Sequence, residues 1–298
     1  MQKIYPSFFP AFQCKADGCR HTCCQKWEIN IDEETLQSYK KAQGPLGREL
    51  SEWIGTDEEG NPCFRLNEKG YCHFLNEKGL CRLILEIGPN ALCQICRDHP
   101  RFYKFAYDSE QNEEIRLAGT GLACEKTAEQ LLALHRPLSF IKEGSPAPLD
   151  FKDLLSLLHL SLPEKRQFFA PTFSQSSIEE LIERLKETNP IDEEWTSMLS
   201  SMESRLPSLM TKVKGLLPSL DGSFLTNLYR YIFYRQLDEC EAYDPISVSR
   251  YAEESVTFIL LEYADTGDLI RSVTHWSEQI EYDTENVYIL LDALDRAD

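Results

Sequence analysis

The chain is 298 residues long, with 42% hydrophobic and 27% charged residues, a composition typical of globular proteins. Its formal net charge of −18 would repel a phosphate backbone, and its longest basic cluster is only Lys40-Lys41, so we expect no nucleic acid partner. No apolar run approaches the roughly 20 residues that span a bilayer, and the N-terminus lacks a secretory signal. We therefore expect no membrane partner and a cytoplasmic location.

Two parts follow one another along the chain. Residues 1–125 are rich in cysteine, glycine and turn signals, whereas residues 126–298 contain successive amphipathic helical patterns. The sequence therefore predicts a mainly α-helical fold. An irregular cysteine-rich N-terminal module with short β-hairpins, predicted as a metal- or iron–sulfur-binding domain over 1–125, is followed by a multi-helix domain over 126–298.

The first part predicts several short elements. Asp32 precedes two glutamates and predicts the start of a helix. The tetrapeptide Asn-Glu-Lys-Gly occurs at 67–70 and again at 76–79, and glycine after a polar turn suits a left-handed position, so two short hairpins are predicted. Residues 102–107 and 114–117 are predicted to pair as strands around a turn at 108–112.

The second part predicts helices in succession. Asp150 and Asp192 are predicted helix caps, and Ser176 is predicted to begin a capping box. The stripe of Trp195, Met198, Leu199 and Met202 favours a core position. Further helical patterns lie at 124–135, 207–217, 222–239, 248–264, 267–280 and 284–296. Linker-like stretches at 142–149 and 163–176 would either separate the two parts or form surface loops of one unit.

The cysteines are not scattered along the chain. The sequence has eleven, and only Cys240 lies beyond residue 124. Cytosolic reductants disfavour a disulfide framework, so clustering in one region argues for metal or cluster ligation. The other ten are Cys14, Cys19, Cys23, Cys24, Cys63, Cys72, Cys81, Cys93, Cys96 and Cys124.

Their spacing leaves the bound group open. Cys14, Cys19, Cys23 and Cys24 form a C-x4-C-x3-C-C segment, and thiolates this close in sequence can converge on a soft metal or an iron–sulfur cluster. Zinc is the alternative, but structural zinc sites pair two C-x2-C knuckles and only Cys93-x2-Cys96 has that spacing. Structural thiols are a third reading. His21, His73 and His99 stand beside cysteines and are weaker ligand candidates.

Motifs of other enzyme classes are absent from the sequence. It contains no G-x-G-x-x-G after a strand, no P-loop, no G-x-S-x-G elbow and no C-x3-C-x2-C spacing of radical enzymes. The residues thus point to a metal-binding module more directly than to a reaction.

Several segments together resemble the flagellin lysine N-methylase family, within a broader group of cysteine-rich zinc- or iron-chelating proteins. They are Phe12-Gln13-Cys14, Cys19, Thr22-Cys23-Cys24, Trp27, residues 72–75, 81–83, 96–101, 121–125 and 275–282, and Glu285-Asn286. One departure is clear, because that family's short Cys-Pro-Glu segment corresponds here to Ala123-Cys124-Glu125-Lys126, without the proline.

The resemblance implies an iron–sulfur-dependent transferase that moves a methyl group from S-adenosylmethionine to lysine ε-amines of flagellin or of another lysine-bearing protein. It also implies a [4Fe–4S] cluster, with zinc as the alternative. The metal ligands that it implies are Cys14, Cys19, Cys23, Cys24, Cys72, Cys81, Cys96 and Cys124. Cys63 and Cys93 match the family pattern less well and are left as structural.

Methyl transfer needs a neutral lysine amine, whose ordinary pKa is ~10.4, so desolvation or a nearby base must remove its proton. Glu125, Tyr229, Tyr231 and Glu278 are the positions to inspect for such a base, although the tyrosines could equally be core and the glutamates solvated. Two further hypotheses stay open: a non-catalytic zinc- or iron-binding interaction module, and an enzyme of the same family with another substrate.

Overall fold

The computed structural model describes residues 2–27, 29–108, 113–170 and 173–296. This part of the chain holds thirteen α-helices and two small sheets, so the mainly α-helical prediction is confirmed. The helices are α1 (Glu33–Lys41), α2 (Gly44–Trp53), α3 (Arg82–Ile87), α4 (Gln94–Asp98), α5 (Glu125–Leu132), α6 (Phe151–Leu157), α7 (Gln175–Lys186), α8 (Glu193–Ser204), α9 (Leu206–Leu216), α10 (Gly222–Arg235), α11 (Pro245–Thr266), α12 (Leu269–Trp276) and α13 (Thr284–Asp295).

The strands form one four-stranded and one three-stranded sheet. They are β1 (Gln2–Pro6), β2 (Ile29–Asn30), β3 (Ile54–Thr56), β4 (Pro62–Phe64), β5 (Arg101–Asp108), β6 (Glu113–Thr120) and β7 (Phe140–Lys142). The larger sheet has the order β5-β6-β1-β7, in which β1 runs parallel to β6 and antiparallel to β7. The smaller sheet has the order β2-β4-β3 and is antiparallel.

The chain divides into two compact units. The smaller unit comprises residues 13–101, and the larger unit comprises residues 1–12 together with 102–298. Strand β1 belongs to the larger unit because Ile4 pairs with Leu117 of β6, so both ends of the stretch 1–125 contribute to that unit's sheet. Residues 13–101 hold nine of the eleven cysteines.

The smaller unit packs α1–α4 and the three-stranded sheet around an apolar core. As predicted, Asp32 caps α1, and its side chain accepts a hydrogen bond from the Thr35 amide at 2.9 Å. The core is built from aromatic, aliphatic and cysteine side chains, among them Ile29, Leu36, Tyr39, Leu50, Phe64, Cys72, Phe74, Leu83 and Cys93.

The two predicted Asn-Glu-Lys-Gly turns have the same geometry. In the first, the Asn67 side chain accepts hydrogen bonds from the Lys69 and Tyr71 amides, and Gly70 has a φ of 77°. In the second, Asn76 accepts from the amides of residues 78 and 80, and Gly79 has a φ of 72°. Each turn closes a short antiparallel bridge, Leu66 with Cys72 and Leu75 with Cys81.

The larger unit combines α5–α13 with the four-stranded sheet, and α10 contacts the sheet through the Tyr234 hydroxyl, which hydrogen-bonds the Ile4 and Ala118 carbonyls. Its core is a single cluster in which α10 and α11 are mostly buried, with Tyr231, Phe233 and Phe258 among the fully buried side chains. The predicted stripe on α8 is confirmed as core, since Trp195, Leu199 and Met202 are buried and Met198 packs against them. Burial of each such large side chain stabilises the fold by about 1.5–3 kcal/mol.

Helix boundaries in the larger unit confirm some predictions and correct others. Asp150 forms a reciprocal capping box with Asp153, and Asp192 caps α8. The predicted cap at Ser176 was wrong, because Ser174 accepts the hydrogen bond from the Ser177 amide and α7 begins at Gln175. The helix predicted over 222–239 ends at Arg235 and continues as a 3-10 turn.

The predicted strands 102–107 and 114–117 lie within β5 and β6, which are neighbours in the sheet, while residues 109–112 of the predicted turn lie outside the described residues.

The stretch 142–149 is a surface connection within the larger unit, since Phe140 and Leu149 pair through both backbone hydrogen bonds. No described helix is both long enough and apolar enough to cross a bilayer.

Candidate metal centre

Six thiols of the smaller unit lie together, and we call them the thiol cluster: Cys23, Cys24, Cys72, Cys81, Cys93 and Cys96. Cys72 and Cys93 are core residues of this unit, with 8% and 0% exposure, and Cys24, Cys81 and Cys96 pack against the same core. Cys23 joins through a hydrogen bond with the Cys24 thiol. All six are free thiols.

Local backbone structure brings these thiols together from distant positions. The Cys72 amide donates to the Cys24 carbonyl at 2.9 Å, and the Lys26 amide donates to the Gly70 carbonyl at 2.8 Å, so the first cysteine segment lies along the first turn. The repeated turns then place Cys72 and Cys81 at equivalent ends of their bridges. The nine-residue interval between them is therefore a structural repeat.

The third segment approaches through the short helices. Cys93 precedes α4 and Cys96 lies within it. The Gln94 amide donates to the Asp32 side chain at 2.8 Å, which ties the start of α4 to the start of α1. On the other side, the Tyr39 hydroxyl of α1 donates to the Ala91 carbonyl at 2.6 Å. Helix α1 thus holds this segment both at Gln94 and at Ala91.

The electrostatics of the cluster follow from thiols hydrogen-bonded in an apolar core. The hydrogen bond that Cys93 and Cys96 share raises the pKa of Cys96, to which burial adds, and lowers the pKa of Cys93. Burial raises the pKa of Cys72 to about 11. The hydrogen bond with Cys24 and the desolvation of its sulfur raise the pKa of Cys23, although that residue as a whole is exposed.

Two aromatic stacking pairs hold the nearby histidines. The His99 ring stacks on Trp27 with 5.7 Å between centroids, and His99 also hydrogen-bonds Cys23. The His73 ring stacks on Trp53 at 4.1 Å. His73 also lies 3.1 Å from Glu49, whose pKa is lowered to about 2 by the Arg82 guanidinium and then by His73. His99 is therefore the histidine placed beside the thiol cluster, and His73 belongs to an ion-pair group.

Five of the eight predicted ligands lie in the thiol cluster, namely Cys23, Cys24, Cys72, Cys81 and Cys96. Cys14 is exposed, and its Sγ accepts a hydrogen bond from the Ala16 amide at 3.4 Å. Cys19 follows the 3-10 turn Ala16–Gly18 and is half-buried. Cys124 lies in the larger unit, at the N-cap of α5.

Cys93 is the residue that sequence reasoning set aside. It is fully buried and contacts Cys96 directly. The signal was present in the sequence, since Cys93-x2-Cys96 is its only knuckle-like spacing, but the family pattern gave Cys93 less weight. Cys63 has a different environment, on β4 opposite Asn30 and Gly55. In the described ranges, no three His, Cys, Asp or Glu side chains have an arrangement that could hold a metal ion.

The candidates for a catalytic base occupy structural positions in the larger unit. The Tyr229 hydroxyl bonds to the Arg166 carbonyl and to Ser249, and the Tyr231 hydroxyl bonds to the backbone of Thr120. Glu278 forms an ion pair with Arg271 at 2.8 Å. Glu125 is 2% exposed in the first turn of α5. Both tyrosines are core residues, which is the structural alternative that the sequence left open for them.

The chain thus combines a mainly α-helical fold with a cysteine-lined core in its smaller unit. No known protein family, curated protein or solved structure matches it.

Proposed function

We propose that this protein is an iron–sulfur-dependent lysine N-methyltransferase. It would move a methyl group from S-adenosylmethionine to ε-amines of flagellin or of another lysine-bearing protein. The metal part of the proposal rests on the thiol cluster, and the methyl-transfer part rests on the sequence resemblance.

The observation that carries the metal part is the convergence of six thiols from three separate segments. A small apolar core can hold a cysteine as an inert hydrophobic residue. Here, however, the thiols contact one another in the pairs Cys23–Cys24 and Cys93–Cys96, and Cys72 interacts with Cys81 and Cys93. Neighbouring sulfurs in an apolar setting are the donor set that soft metals and iron–sulfur clusters require.

The chemistry of the thiol cluster suits such a group, although the side chains as described would have to shift to bind it, since no three of them stand in a metal-holding arrangement. Four thiolates hold one [4Fe–4S] cluster. We propose the two buried thiols, Cys72 and Cys93, together with Cys24 and Cys96, which pack against the same core. Binding would release the thiol protons, because the ligand is the thiolate. Cys81 and Cys23 are then alternative ligands within the thiol cluster, and for Cys14, Cys19 and Cys124 a ligand role is implied by the resemblance alone.

The methyl-transfer part is supported by where the resemblance falls in the fold. Two of its segments, 121–125 and 275–282, lie side by side in the larger unit: a Cβ added to Gly121 would stand 2.2 Å from the Tyr282 hydroxyl. Two family-like segments that are far apart in sequence and meet in the fold are consistent with one shared site. S-adenosylmethionine supplies an electrophilic methyl on a sulfonium. The protein must orient the lysine amine in line with it and keep the amine neutral.

The metal test is a composition measurement on protein purified without oxygen. We expect roughly four iron and four sulfide per chain with broad visible absorption, and loss of both in the double variant C93A/C96A. The matched control is Cys240→Ala, which removes a half-buried thiol of the larger unit and should keep the full iron content. A colourless wild-type protein that holds only zinc would contradict the cluster.

The activity test uses labelled S-adenosylmethionine with flagellin, and the control is flagellin whose lysine amines have been acetylated beforehand. We expect label on the native protein and none on the acetylated one. A cluster-containing preparation that labels neither flagellin nor any other lysine-bearing protein would remove the methyltransferase part and leave the metal part standing.

A non-catalytic zinc- or iron-binding interaction module is the second candidate. The Cys93-x2-Cys96 pair favours it, since the two thiols share a hydrogen bond in a knuckle spacing. This second function would be supported over the first by three results together. The protein would hold about one zinc ion per chain, would lose structure when the zinc is chelated, and would transfer no methyl group.

A further inference from the structure

A histidine of the larger unit is hydrogen-bonded to a buried carboxylate. Nδ1 of His275, on α12, lies 2.7 Å from Oε1 of Glu262, on α11. The His275 side chain is 12% exposed, whereas the Glu262 side chain is 4% exposed. The carboxylate is therefore enclosed by the core, while the imidazole still reaches the surface.

The turn between the two helices brings these side chains together. Gly267 follows α11 with a φ of 75°, the left-handed conformation in which glycine commonly ends a helix. Asp268 then caps α12, because its side chain accepts a hydrogen bond at 3.0 Å from an amide of the first turn. This short turn folds α12 back along α11, so Glu262 and His275 meet across the two helices.

The imidazole is held in one orientation and keeps one nitrogen open. Trp195 of α8 packs edge to face against it, with 5.5 Å between the ring centroids and 80° between the ring planes. Nδ1 is engaged by the carboxylate. Nε2 forms no hydrogen bond within the described ranges and is not one of the buried atoms without a partner, so it is open to solvent.

A second histidine–carboxylate pair shows what a structural ion-pair group looks like. His73 shares Glu49 with Arg82, whose guanidinium donates to both oxygens of that carboxylate, at 2.7 and 3.2 Å. The Glu262 carboxylate has only His275 as a partner among the described residues, and its Oε2 is buried without a hydrogen bond there. The charge of Glu262 thus acts on the imidazole alone.

A buried ion pair elsewhere in the larger unit is closed to solvent. Nε of Arg235 lies 3.5 Å from Oε1 of Glu281, and the two side chains are 8% and 0% exposed. These groups face each other and join α10 to the π-helical turn Ser277–Glu281. The pair of Glu262 and His275 differs, because its imidazole presents Nε2 to the outside.

The open nitrogen lies on a charged, accessible face of α12. Arg271 and Glu278 stand four residues before and three residues after His275, spacings that share one side of a helix. They form an ion pair at 2.8 Å, with side chains 40% and 20% exposed. A lysine on the surface of a partner protein can approach such a face. His275 is also the first residue of the segment 275–282, on which the methyl-transfer proposal partly rests.

An imidazole in this arrangement is suited to accept a proton. A carboxylate on Nδ1 favours the tautomer in which Nε2 carries the lone pair, and it stabilises the imidazolium that forms when Nε2 is protonated. The ε-ammonium of lysine has no lone pair, so it must lose a proton before it can attack a methyl group. Tyr229 and Tyr231, which the sequence suggested for this role, use their hydroxyls within the core.

We propose that His275 is the general base of the methyl transfer and that Glu262 positions it. This inference rests on the proposed function and names the base for that reaction. Nε2 of His275 accepts a proton from the ε-ammonium of the target lysine. The freed lone pair attacks the methyl carbon of S-adenosylmethionine, and the carbon–sulfur bond breaks with its electron pair going to sulfur. S-adenosylhomocysteine leaves, and the proton on Nε2 passes to solvent.

The first test measures methyl transfer to flagellin by variants of the full chain purified without oxygen. We expect His275→Ala to lower kcat by about 100- to 1,000-fold, while its affinity for S-adenosylhomocysteine, measured by calorimetry, stays unchanged. Added imidazole should raise the kcat of this variant at least about 10-fold, because it replaces the missing proton acceptor. Glu262→Gln should lower kcat by about 10- to 100-fold and leave both KM values unchanged, since it removes the charge and keeps the shape.

The matched control is His135→Ala, in an exposed histidine–carboxylate pair of the same unit. His135 lies 3.7 Å from Asp221, and its side chain is 83% exposed. This variant should keep the wild-type kcat with and without imidazole. An unchanged kcat in His275→Ala would overturn the inference alone and leave the proposed function in place. A loss that imidazole does not restore in the folded variant would do the same, because the pair would then only join α11 to α12.

A variant that does not fold leaves the inference testable on the wild-type protein. Diethyl pyrocarbonate acylates unprotonated imidazoles, and peptide mass spectrometry locates each modified residue. We expect modification of His275 to stop methyl transfer, and we expect flagellin with S-adenosylhomocysteine to slow modification at His275 but not at His135. Full activity after complete modification of His275 would overturn the inference, as would an unreactive His275 beside a reactive His135. A wild-type protein that labels no lysine would overturn both the inference and the proposed function.

Discussion

The two units of this protein are stabilised by different kinds of core. In the larger unit, an aromatic and aliphatic core surrounds α10 and α11, and buried rings such as Trp195 and Phe258 contact each other at 5.2 Å. In the smaller unit, Cys72 and Cys93 are core residues and three more cysteines pack against them. A thiol buries less apolar surface than a leucine or a phenylalanine, so the second core gains less from the hydrophobic effect.

The two cores therefore imply different sources of stability for the two units. The larger unit has an extensive buried apolar cluster, whereas the smaller one combines short helices, two- and three-residue strands and a thiol-lined centre. Small domains with limited cores usually need a metal or disulfides, and the cysteines here are free thiols. We therefore expect metal dependence to be confined to residues 13–101.

Removing the metal should produce the largest effect, and it should divide the chain. Structural metals contribute on the order of 10 kcal/mol to small metal-dependent folds. After treatment with chelator and oxidant, we expect amides of 13–101 to exchange rapidly while α10 and α11 keep their protection. Hydrogen exchange with mass spectrometry measures both in one sample. Equal loss of protection in the two units would show that their cores do not differ in this way.

Truncating the larger core should have the next largest effect, and it should not depend on metal. Trp195 is 1% exposed and packs on Phe258 and His275, so Trp195→Ala should lower the free energy of unfolding by about 3–5 kcal/mol. Urea unfolding of the larger unit with and without chelator measures it. The control Tyr288→Ala, at a residue 44% exposed, should change stability by less than about 1 kcal/mol.

The sequence predicted the larger unit well because its signals are local. Asp150 and Asp192 cap helices as expected, and the stripe that includes Trp195 is buried. Capping and 3.6-residue periodicity act within one helix, so they can be read from one segment. The error at Ser176 has the same origin, because Ser174 offers a competing cap two residues earlier.

Long-range pairing escaped the sequence reasoning. The short strand β1 pairs in parallel with β6, more than a hundred residues away, and nothing in its five residues signals that partner. For the same reason, the sequence predicted only part of the candidate site. Clustering in sequence identified five thiols of the cluster, but the position of the Cys93-x2-Cys96 segment beside the other thiols depends on the start of α4 being tied to the start of α1.

The pair Arg235 and Glu281 had no sequence signal at all. Buried charges are rare, and each residue reads as part of an amphipathic helix until the fold shows that both are covered. Their pairing depends on the packing of α10 against the turn Ser277–Glu281, which no single segment of the sequence specifies.

Two glycine substitutions, one in each unit, compare the backbone conformations of the two units. Gly79 closes the second turn of the smaller unit at a φ of 72° with open space around it, so Gly79→Ala should cost about 1 kcal/mol through backbone strain alone. Gly215 lies in α9 of the larger unit, also with open space, and Gly215→Ala should stabilise it by about 0.5–1 kcal/mol. Thermal unfolding of each variant, monitored unit by unit through hydrogen exchange, should show shifts of opposite sign. Shifts of the same sign would mean that the turn is not held in the left-handed region.

The smallest effect that we expect is a pH dependence in the larger unit. Burial raises the pKa of Glu254, and the Arg184 guanidinium only partly offsets this. A carboxyl whose pKa is higher in the folded than in the unfolded state binds its proton more tightly when folded. Its contribution to stability is therefore complete below the unfolded pKa of about 4.3 and is lost as the pH rises through the folded value. We expect the difference in unfolding free energy between the wild-type protein and Glu254→Gln to shift against the wild type between pH 4 and neutrality, in urea titrations of both proteins. A shift in the opposite direction would mean that the Arg184 guanidinium lowers the pKa of Glu254 by more than burial raises it. The ion pair would then stabilise the fold at neutral pH.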